Sequence, residues 1–289
     1  MSNRKIKYLI RSLSNTIQNK ECPNCGSKDL KRIDRKYLIT SLLKCNECCL
    51  NHRHPKDSAK WLEKFYQTEY KIDTHMMTDL PTDAEIKIQK QENFSSLRNE
   101  SIYISALFNS KPIKLIDYGC SWGYNVFKLL NDGHNAVGYE LSVPRALFGE
   151  EKLGVKIFSK LEQLPVEQDL MLSSHVIEHL VDLPKFFQFS KVHLKNDGVF
   201  MAFCPNGTAE YRTREPETWH GSWGDIHVNL IDVEFAKLAF KDNPYLILTG
   251  DWAFDPKEIE EWDGMSQKVG AKKDGKELLI IAKPTISIS

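Results

Sequence analysis

The hydrophobic pattern changes character twice along the 289 residues. Up to about residue 56, apolar positions come in short alternating runs, DLKRID and YLITSLLKC, the period of small half-buried strands. After Pro55 the segment DSAKWLEKFYQTEY opens on Asp and Ser and places Trp61, Leu62, Phe65 and Tyr66 at helical spacing, which predicts an amphipathic helix. A second helix is expected from Thr82 to Phe108, with Asp83 near its start and Ile86, Phe94, Leu97, Ile102 and Leu107 among its apolar positions. KIDTHMMTDLPTD between them reads as a polar loop containing Pro81. From Pro112 strand and helix patterns alternate through KLIDYGC, VFKLLNDG, NAVGYELS, VPRALFGEEKL and VKIFSKL. That alternation predicts an α/β fold, a parallel sheet with crossover helices. The expected organisation is a cysteine-rich module over 1–56, a helical linker or cap over 57–110 and an α/β domain over 111–289.

Composition adds little to this but excludes much. Hydrophobic residues make up 41% and charged residues 27%, which fits a globular chain and no disordered class. No apolar run reaches the roughly 18 to 20 residues of a membrane span, and the basic N-terminus lacks a secretory cleavage pattern, so a cytoplasmic protein is expected. The net charge is zero, yet residues 1–60 hold 14 Lys and Arg against 5 Asp and Glu, a local +9 offset by −9 in the rest. Such a front end suits nucleic acid or another anionic surface, or is a solvated face offset by metal-bound thiolates.

Four of the seven cysteines form two CxxC pairs, Cys22 with Cys25 and Cys45 with Cys48. In a cytosolic chain two such knuckles at this spacing point to a tetrathiolate zinc site, because each turns both sulfurs toward one point. With the four positions closed, the zinc is structural and supplies the folding energy that so small a module lacks. Gly26 stands where a knuckle needs a left-handed residue, and Cys49 takes that place in the second knuckle, as a spare or alternative ligand. His52 and His54 are read as surface residues. A redox role for the pairs is disfavoured because neither opens a helix in a βαβ pattern.

The first strand of the α/β part ends in Asp117-Tyr-Gly119-Cys120-Ser121-Trp-Gly123, a small-residue loop opening a helix at the carboxyl edge of the sheet. Asp117 precedes the glycines, whereas a dinucleotide fingerprint carries its acid later; a pyrophosphate would be repelled here and a cationic ligand attracted. Glu140 ends the next strand, 23 residues after Asp117, where a carboxylate can accept ribose hydroxyl hydrogens.

With these residues the chain resembles the class I S-adenosylmethionine-dependent methyltransferases. The resemblance covers roughly Ile113 to Lys283 and takes in DYGCSWG, Glu140, LSSHVIEHL after the fourth strand, DGVFMAFCPN as the fifth strand, and LILTGDWAFD with KELLIIAKP as the final hairpin. It implies a Rossmann-like seven-stranded sheet with an antiparallel final strand, and S-adenosyl-L-methionine as cofactor. Gly119, Cys120, Ser121 and Gly123 would face its methionine part, Glu140 and Leu141 its ribose, and Lys160 and Leu161 its adenine. A family-typical acid is missing at the adenine position.

Methyl transfer is largely a matter of positioning, with a base needed only where the nucleophile must lose a proton. The candidate catalytic residues are His175, Glu178 and His179 after the fourth strand, and His220 and His227 after the fifth. No NPPY-like or DPPY-like tetrapeptide follows strand four, which favours an oxygen or carbon nucleophile over the amine of a base. Zinc-module fusions of this kind are similar to certain sugar C-methyltransferases, so a small-molecule or glycan acceptor such as a sugar or sugar nucleotide is expected. The alternatives are an RNA methyltransferase gripping its substrate with the basic ribbon and a non-catalytic binding protein on the same fold. A helical turn would bring His175, Glu178 and His179 to one face, with His227 as a fourth ligand of a second divalent metal. A similar set, with Glu in place of His175, occurs in ubiquinone-type O-methyltransferases and small-RNA 2′-O-methyltransferases; His would favour Zn or Fe over Mg. The competing reading has Glu178 capping or pairing and His179 in the core. Trp122, Tyr124, Trp219 and Trp223 are candidates for stacking on an acceptor or for the core, and Tyr211, Arg212 and Arg214 for holding an anionic substrate or for plain surface charge.

Overall fold

The computed structural model describes residues 3–15, 17–68, 80–94 and 97–284. A short helix, α1 (Asn3–Ser14), precedes a three-stranded antiparallel ribbon of β1 (Leu30–Lys36), β2 (Thr40–Cys45) and β3 (Asn51–His54). Three helices follow, α2 (Ala59–Thr68), α3 (Asp83–Gln91) and α4 (Ser101–Phe108). The expected loop over KIDTHMMTDLPTD lies mostly outside the described residues.

The expected long helix over 82–108 is two helices. The first opens on a capping box, with Thr82 and Glu85 satisfying each other's backbone N–H groups. It stops because Asn93 and Phe94 adopt positive φ (46° and 53°) and Phe94 drops fully buried onto Trp122, Tyr124 and Phe127. Core burial of one aromatic ring thus overrides helix periodicity, and residues 97–100 bring Arg98 and Glu100 to the sheet edge.

The remaining strands are β4 (Lys114–Tyr118), β5 (Asn135–Tyr139), β6 (Ile157–Phe158), β7 (Gln168–Ser174), β8 (Leu194–Pro205), β9 (Asn229–Leu230), β10 (Tyr245–Gly250), β11 (Gln267–Val269) and β12 (Glu277–Ala282). All but β9 form one sheet in the order β11-β10-β12-β8-β7-β4-β5-β6. The strands from β8 to β6 are mutually parallel, and β12 runs antiparallel to both β8 and β10. The Rossmann-like α/β sheet with an antiparallel final strand is therefore present, with eight strands in place of seven. The extra one, β11, is a three-residue edge that pairs parallel to β10. Helices cover both faces, so the strands are near-continuous apolar runs whose successive residues enter opposite cores. Leu115, Leu172, Met201, Phe203 and Leu279 face one core, and Ile116, Met171, Phe200, Ala202 and Ile280 the other.

β9 leaves this sheet and becomes the fourth strand of the ribbon, paired antiparallel with β3. One expectation is corrected by that pairing, and one open choice is decided. His52 and His54 are not surface residues: β3 is flanked on both sides, and they are only 1% and 7% exposed. Trp219 and Trp223 are not stacking surfaces; both are 2% exposed and pack with Leu42, Tyr211 and Leu230 where the ribbon meets the segment before β9. Trp122 is likewise core, edge-on to Phe94 and Phe148.

Candidate functional site

At the ribbon, Cys22 and Cys48 place their sulfurs 3.5 Å apart, as do Cys25 and Cys45, and all four lie within 4.8 Å of one another. Sulfurs about 2.3 Å from a tetrahedral ion would stand about 3.8 Å apart, so the four thiols suit such an ion. The knuckles are equivalent: Gly26 (φ 74°) and Cys49 (φ 62°) each donate a backbone N–H back to the first cysteine of their pair. Cys49 is there for its backbone and stays outside the four-sulfur set.

The second site forms at the carboxyl edge of the parallel strands. β4 ends at Asp117, 3% exposed, whose carboxylate accepts from Asn125 Nδ2 at 3.1 Å. Burial, with Glu100 nearby, pushes its pKa up to about 7. Past it, Gly119 and Gly123 are left-handed (φ 82° and 79°), and a Cβ on Gly119 would sit 2.4 Å from the Val176 side chain. Glu140, at the end of β5, accepts from the backbone N–H of Ser121 (3.0 Å) and of Ser142 (2.7 Å), and burial raises it to about 7 as well. Arg145 braces the loop from behind through Ser121 Oγ at 2.9 Å. From the far side Gln67, on α2, donates to the Leu141 carbonyl at 2.5 Å. Lys160 and Leu161 open the short 3-10 turn beyond β6 on the same edge.

Arg98, Glu100, Glu277 and Trp252 escaped the sequence reading and complete this edge. Glu100 accepts from Ser174 Oγ at 2.7 Å, while Arg98 bridges Glu100 (3.0 Å) and Glu277 (2.5 Å). His175 lies between two carboxylates, Nδ1 at 3.2 Å from Glu178 and Nε2 at 2.9 Å from Glu277. These partners outweigh its desolvation and raise its pKa to about 9, while Arg98 Nη1 also stands 2.7 Å from Nε2. Glu100 Oε2, Glu178 Oε2, Glu277 Oε2 and Asn125 Oδ1 are buried and accept no hydrogen bond among the described residues. Two of these, Glu100 Oε2 and Asn125 Oδ1, belong to neighbours of the buried Asp117 and fit a ligand that brings an ammonium and hydroxyl hydrogens. Backbone strain was the signal for Trp252: it is left-handed (φ 69°), 60% exposed and 6.4 Å from the His175 ring.

The proposed helical turn bearing His175, Glu178 and His179 is instead a 3-10 turn over Ile177–His179, with His175 (φ 55°) just before it. Glu178, His179 and His227 converge, their donor atoms within 4.8 Å, while His175 lies outside that set, bridging Glu178 and Glu277. His179 Nδ1 is 3.1 Å from the Ile226 carbonyl and His227 Nδ1 2.9 Å from the Ser222 carbonyl, which places both protons on Nδ1 and leaves both Nε2 lone pairs open. Burial lowers the His179 pKa to about 4. His220 goes elsewhere: it binds Asp34 of β1 at 2.6 Å and lies edge-on to Trp223. Arg214 is held by Asp251 and Arg212 lies over the Trp219 ring.

Fold and site together define a class I S-adenosylmethionine-dependent methyltransferase. Residues 91–245, more than half of the chain, match the family described as Methyltransferase domain, and the chain belongs to that family. No curated protein matches it in sequence. Among solved structures it is similar to TehB from Haemophilus influenzae (15% identity, 68% of this chain, 65% of that one, TM-score 0.45). It is also similar to magnesium protoporphyrin IX methyltransferase from Synechocystis PCC 6803 with bound SAH (12%, 78% and 99%, TM-score 0.47). A third is the plantazolicin methyltransferase BpumL in complex with SAH (14%, 77% and 96%, TM-score 0.45). The aligned part spans just under two thirds of TehB.

Proposed function

We propose that the protein methylates an oxygen or carbon nucleophile of a small-molecule or glycan acceptor, such as a sugar or sugar nucleotide. Asp117 and the orphaned Glu100 oxygen are the partners for the cofactor's ammonium, Gly119 to Gly123 leave room for its methionine part, and Glu140 and Leu141 meet its ribose. Lys160 and Leu161 lie where adenine would reach. When bound, S-adenosylmethionine supplies an electrophilic methyl group on a cationic sulfur. The acceptor's place is next to it, between exposed Trp252, whose ring suits a sugar or other planar face, and the Glu178, His179, His227 cluster.

The observation that carries this reading is the pair of open Nε2 lone pairs facing a buried carboxylate whose Oε2 has no partner among the described residues. A neutral imidazole there can take the proton of an acceptor hydroxyl. His175 sits between Glu178 and Glu277 and orients both carboxylates. His220 belongs with the ribbon contact at Asp34. The four ribbon cysteines hold a structural zinc ion.

The same geometry supports a second divalent ion on Glu178, His179 and His227, since ligating histidines characteristically commit their other ring N–H to a backbone carbonyl. Metal analysis of a Cys22→Ser/Cys25→Ser variant tests it: a divalent ion retained there and lost on His227→Ala supports the site, and loss of all metal in the first variant removes it. For the function, calorimetry should detect S-adenosylmethionine binding that falls at least tenfold in Glu140→Ala. Incubation with methyl-labelled cofactor should label a sugar or sugar nucleotide, with the label lost in Glu178→Gln. Labelling of RNA with no small-molecule product would transfer the assignment to the RNA alternative.

A further inference from the structure

The turn joining β1 to β2 is built against its own conformational cost. The Ile39 N–H donates to the Lys36 carbonyl at 3.3 Å, closing a turn whose two central residues, Tyr37 and Leu38, have φ of 53° and 61°. A hairpin turn left-handed at both centres is the one in which Asn-Gly and Asp-Gly predominate, because a Cβ is penalised there. Here the centres are a tyrosine and a leucine, 45% and 76% exposed, so neither gains burial in return. Arg35 braces the turn by donating Nε to the Leu38 carbonyl at 3.0 Å. The turn abuts α1, with Tyr37 edge-on to Tyr8 at 6.0 Å. That helix in turn exposes Ile6 (44%), Ile10 (63%) and Leu13 (53%), with Ile17 (94%) just beyond it.

The segment that carries both elements is cationic. Residues 1–36 contain ten Lys and Arg against three Asp and Glu. Lys7, Lys20, Lys28, Lys31, Arg32 and Arg35 are exposed, whereas Asp34 is turned inward onto His220 and Trp223. Exposed aliphatic side chains on a braced, strained tip within a cationic field suit the boundary of an anionic bilayer, where apolar groups enter the acyl region and Lys and Arg meet headgroups. RNA would use the cations and could stack on Tyr37, but makes no use of the exposed Ile6, Ile10, Leu13 and Leu38. A second copy of the chain would bring like charges together.

We infer that the Tyr37-Leu38 turn and the outward face of α1 dock the protein reversibly on an anionic phospholipid surface. The inference is independent of which acceptor is methylated. Among the described residues no helix is long and apolar enough to cross a membrane, so the contact is interfacial.

The test is co-sedimentation of the full-length, zinc-loaded protein with vesicles of phosphatidylcholine alone or with roughly a third phosphatidylserine. At least tenfold stronger partition onto the anionic vesicles is expected, weakening as salt rises. Tyr37→Asn/Leu38→Gly, which suits the left-handed turn, should lose binding tenfold or more while its melting temperature holds or rises and cofactor binding is unchanged. Lys31→Glu/Arg32→Glu should weaken binding without touching the turn. Equal partition onto both vesicle types, or undiminished binding in both variants, overturns the inference. So does RNA binding that survives in Tyr37→Asn/Leu38→Gly, is lost in Lys31→Glu/Arg32→Glu and comes with no vesicle partition.

Discussion

Asn229 of β9 stands directly opposite His52 of β3, and through this pair the strand two residues past His227 joins the ribbon's sheet. The Asn229 side chain reaches the other way, donating to the carbonyls of Ile177 (3.2 Å) and Leu180 (2.6 Å), which bracket Glu178 and His179. Around it Arg53 donates its backbone N–H to Val228 (2.7 Å) and Nη1 to the Asp225 carbonyl (2.8 Å), and Lys44 pairs with Asp232 (3.0 Å). The segment bearing His227 is thus clamped on both sides to residues that the ribbon cysteines help to fold.

Asn229→Ala should therefore disturb the acceptor side and spare the cofactor side. The Leu180 carbonyl loses its Asn229 donor and the Ile177 carbonyl keeps only the long Leu180 N–H bond, a cost of about 1 to 3 kcal/mol in urea denaturation. Imidazole NMR signals of His179 and His227 should shift, while S-adenosylmethionine affinity stays within about twofold because Asp117 and Glu140 sit on other strands. If the four ribbon cysteines hold zinc as proposed, a chelator should move the same signals further. Unchanged histidine spectra in both experiments would separate the ribbon from the site.

Cofactor affinity should rise with pH up to about 7. Burial lifts both Asp117 and Glu140 to about 7, so at lower pH each is increasingly protonated and no longer attracts a cation. The slope should approach about tenfold per pH unit for each carboxylate that must ionise on binding, and Glu140→Gln should flatten it. Stability of the free protein runs the opposite way. The folded chain holds these protons above the carboxyls' ordinary values, so their contribution is full below about pH 4 and is lost as pH rises through 7. Calorimetry and thermal melts over the same pH series check both signs.

Gly119→Ala should abolish cofactor binding and destabilise the fold. The added methyl meets the Val176 side chain at 2.4 Å in a backbone conformation (φ 82°) that L-residues avoid. Overpacking costs about 1 to 3 kcal/mol and the left-handed conformation roughly 1 to 2 more. Adding Val176→Ala should recover only the first part, measured as a partial return of the melting temperature.

Trp252→Gly should lower kcat/KM for the acceptor at least tenfold with cofactor affinity unchanged. Its melting temperature should not fall, because glycine relieves the left-handed strain and little of the exposed ring's packing is lost. A drop in stability with normal turnover would make Trp252 a packing residue.

What the sequence determined by itself is local. The two CxxC knuckles, the acid before the glycines, Glu140 at the end of its strand and the alternation of strand and helix are written in spacings of a few residues, and backbone geometry leaves them few arrangements. The antiparallel direction of the final strand does not belong with these: the family resemblance implied it, and a buried apolar run alone is silent on direction. Only the tertiary structure decided what gathers at the sheet edge. Arg98 meets His175 across 77 residues, and His175 meets Glu277 across 102. The side chain of Asn51 reaches the Leu230 carbonyl across 179 residues, alongside the pairing that buries His52. No periodicity links positions so far apart. A charge or an aromatic ring reads alike in a loop and in a core until its neighbours are known. Trp219, Trp223 and His52 proved buried, and Trp252 exposed, because burial is a property of the packed neighbours that strand pairing brings together.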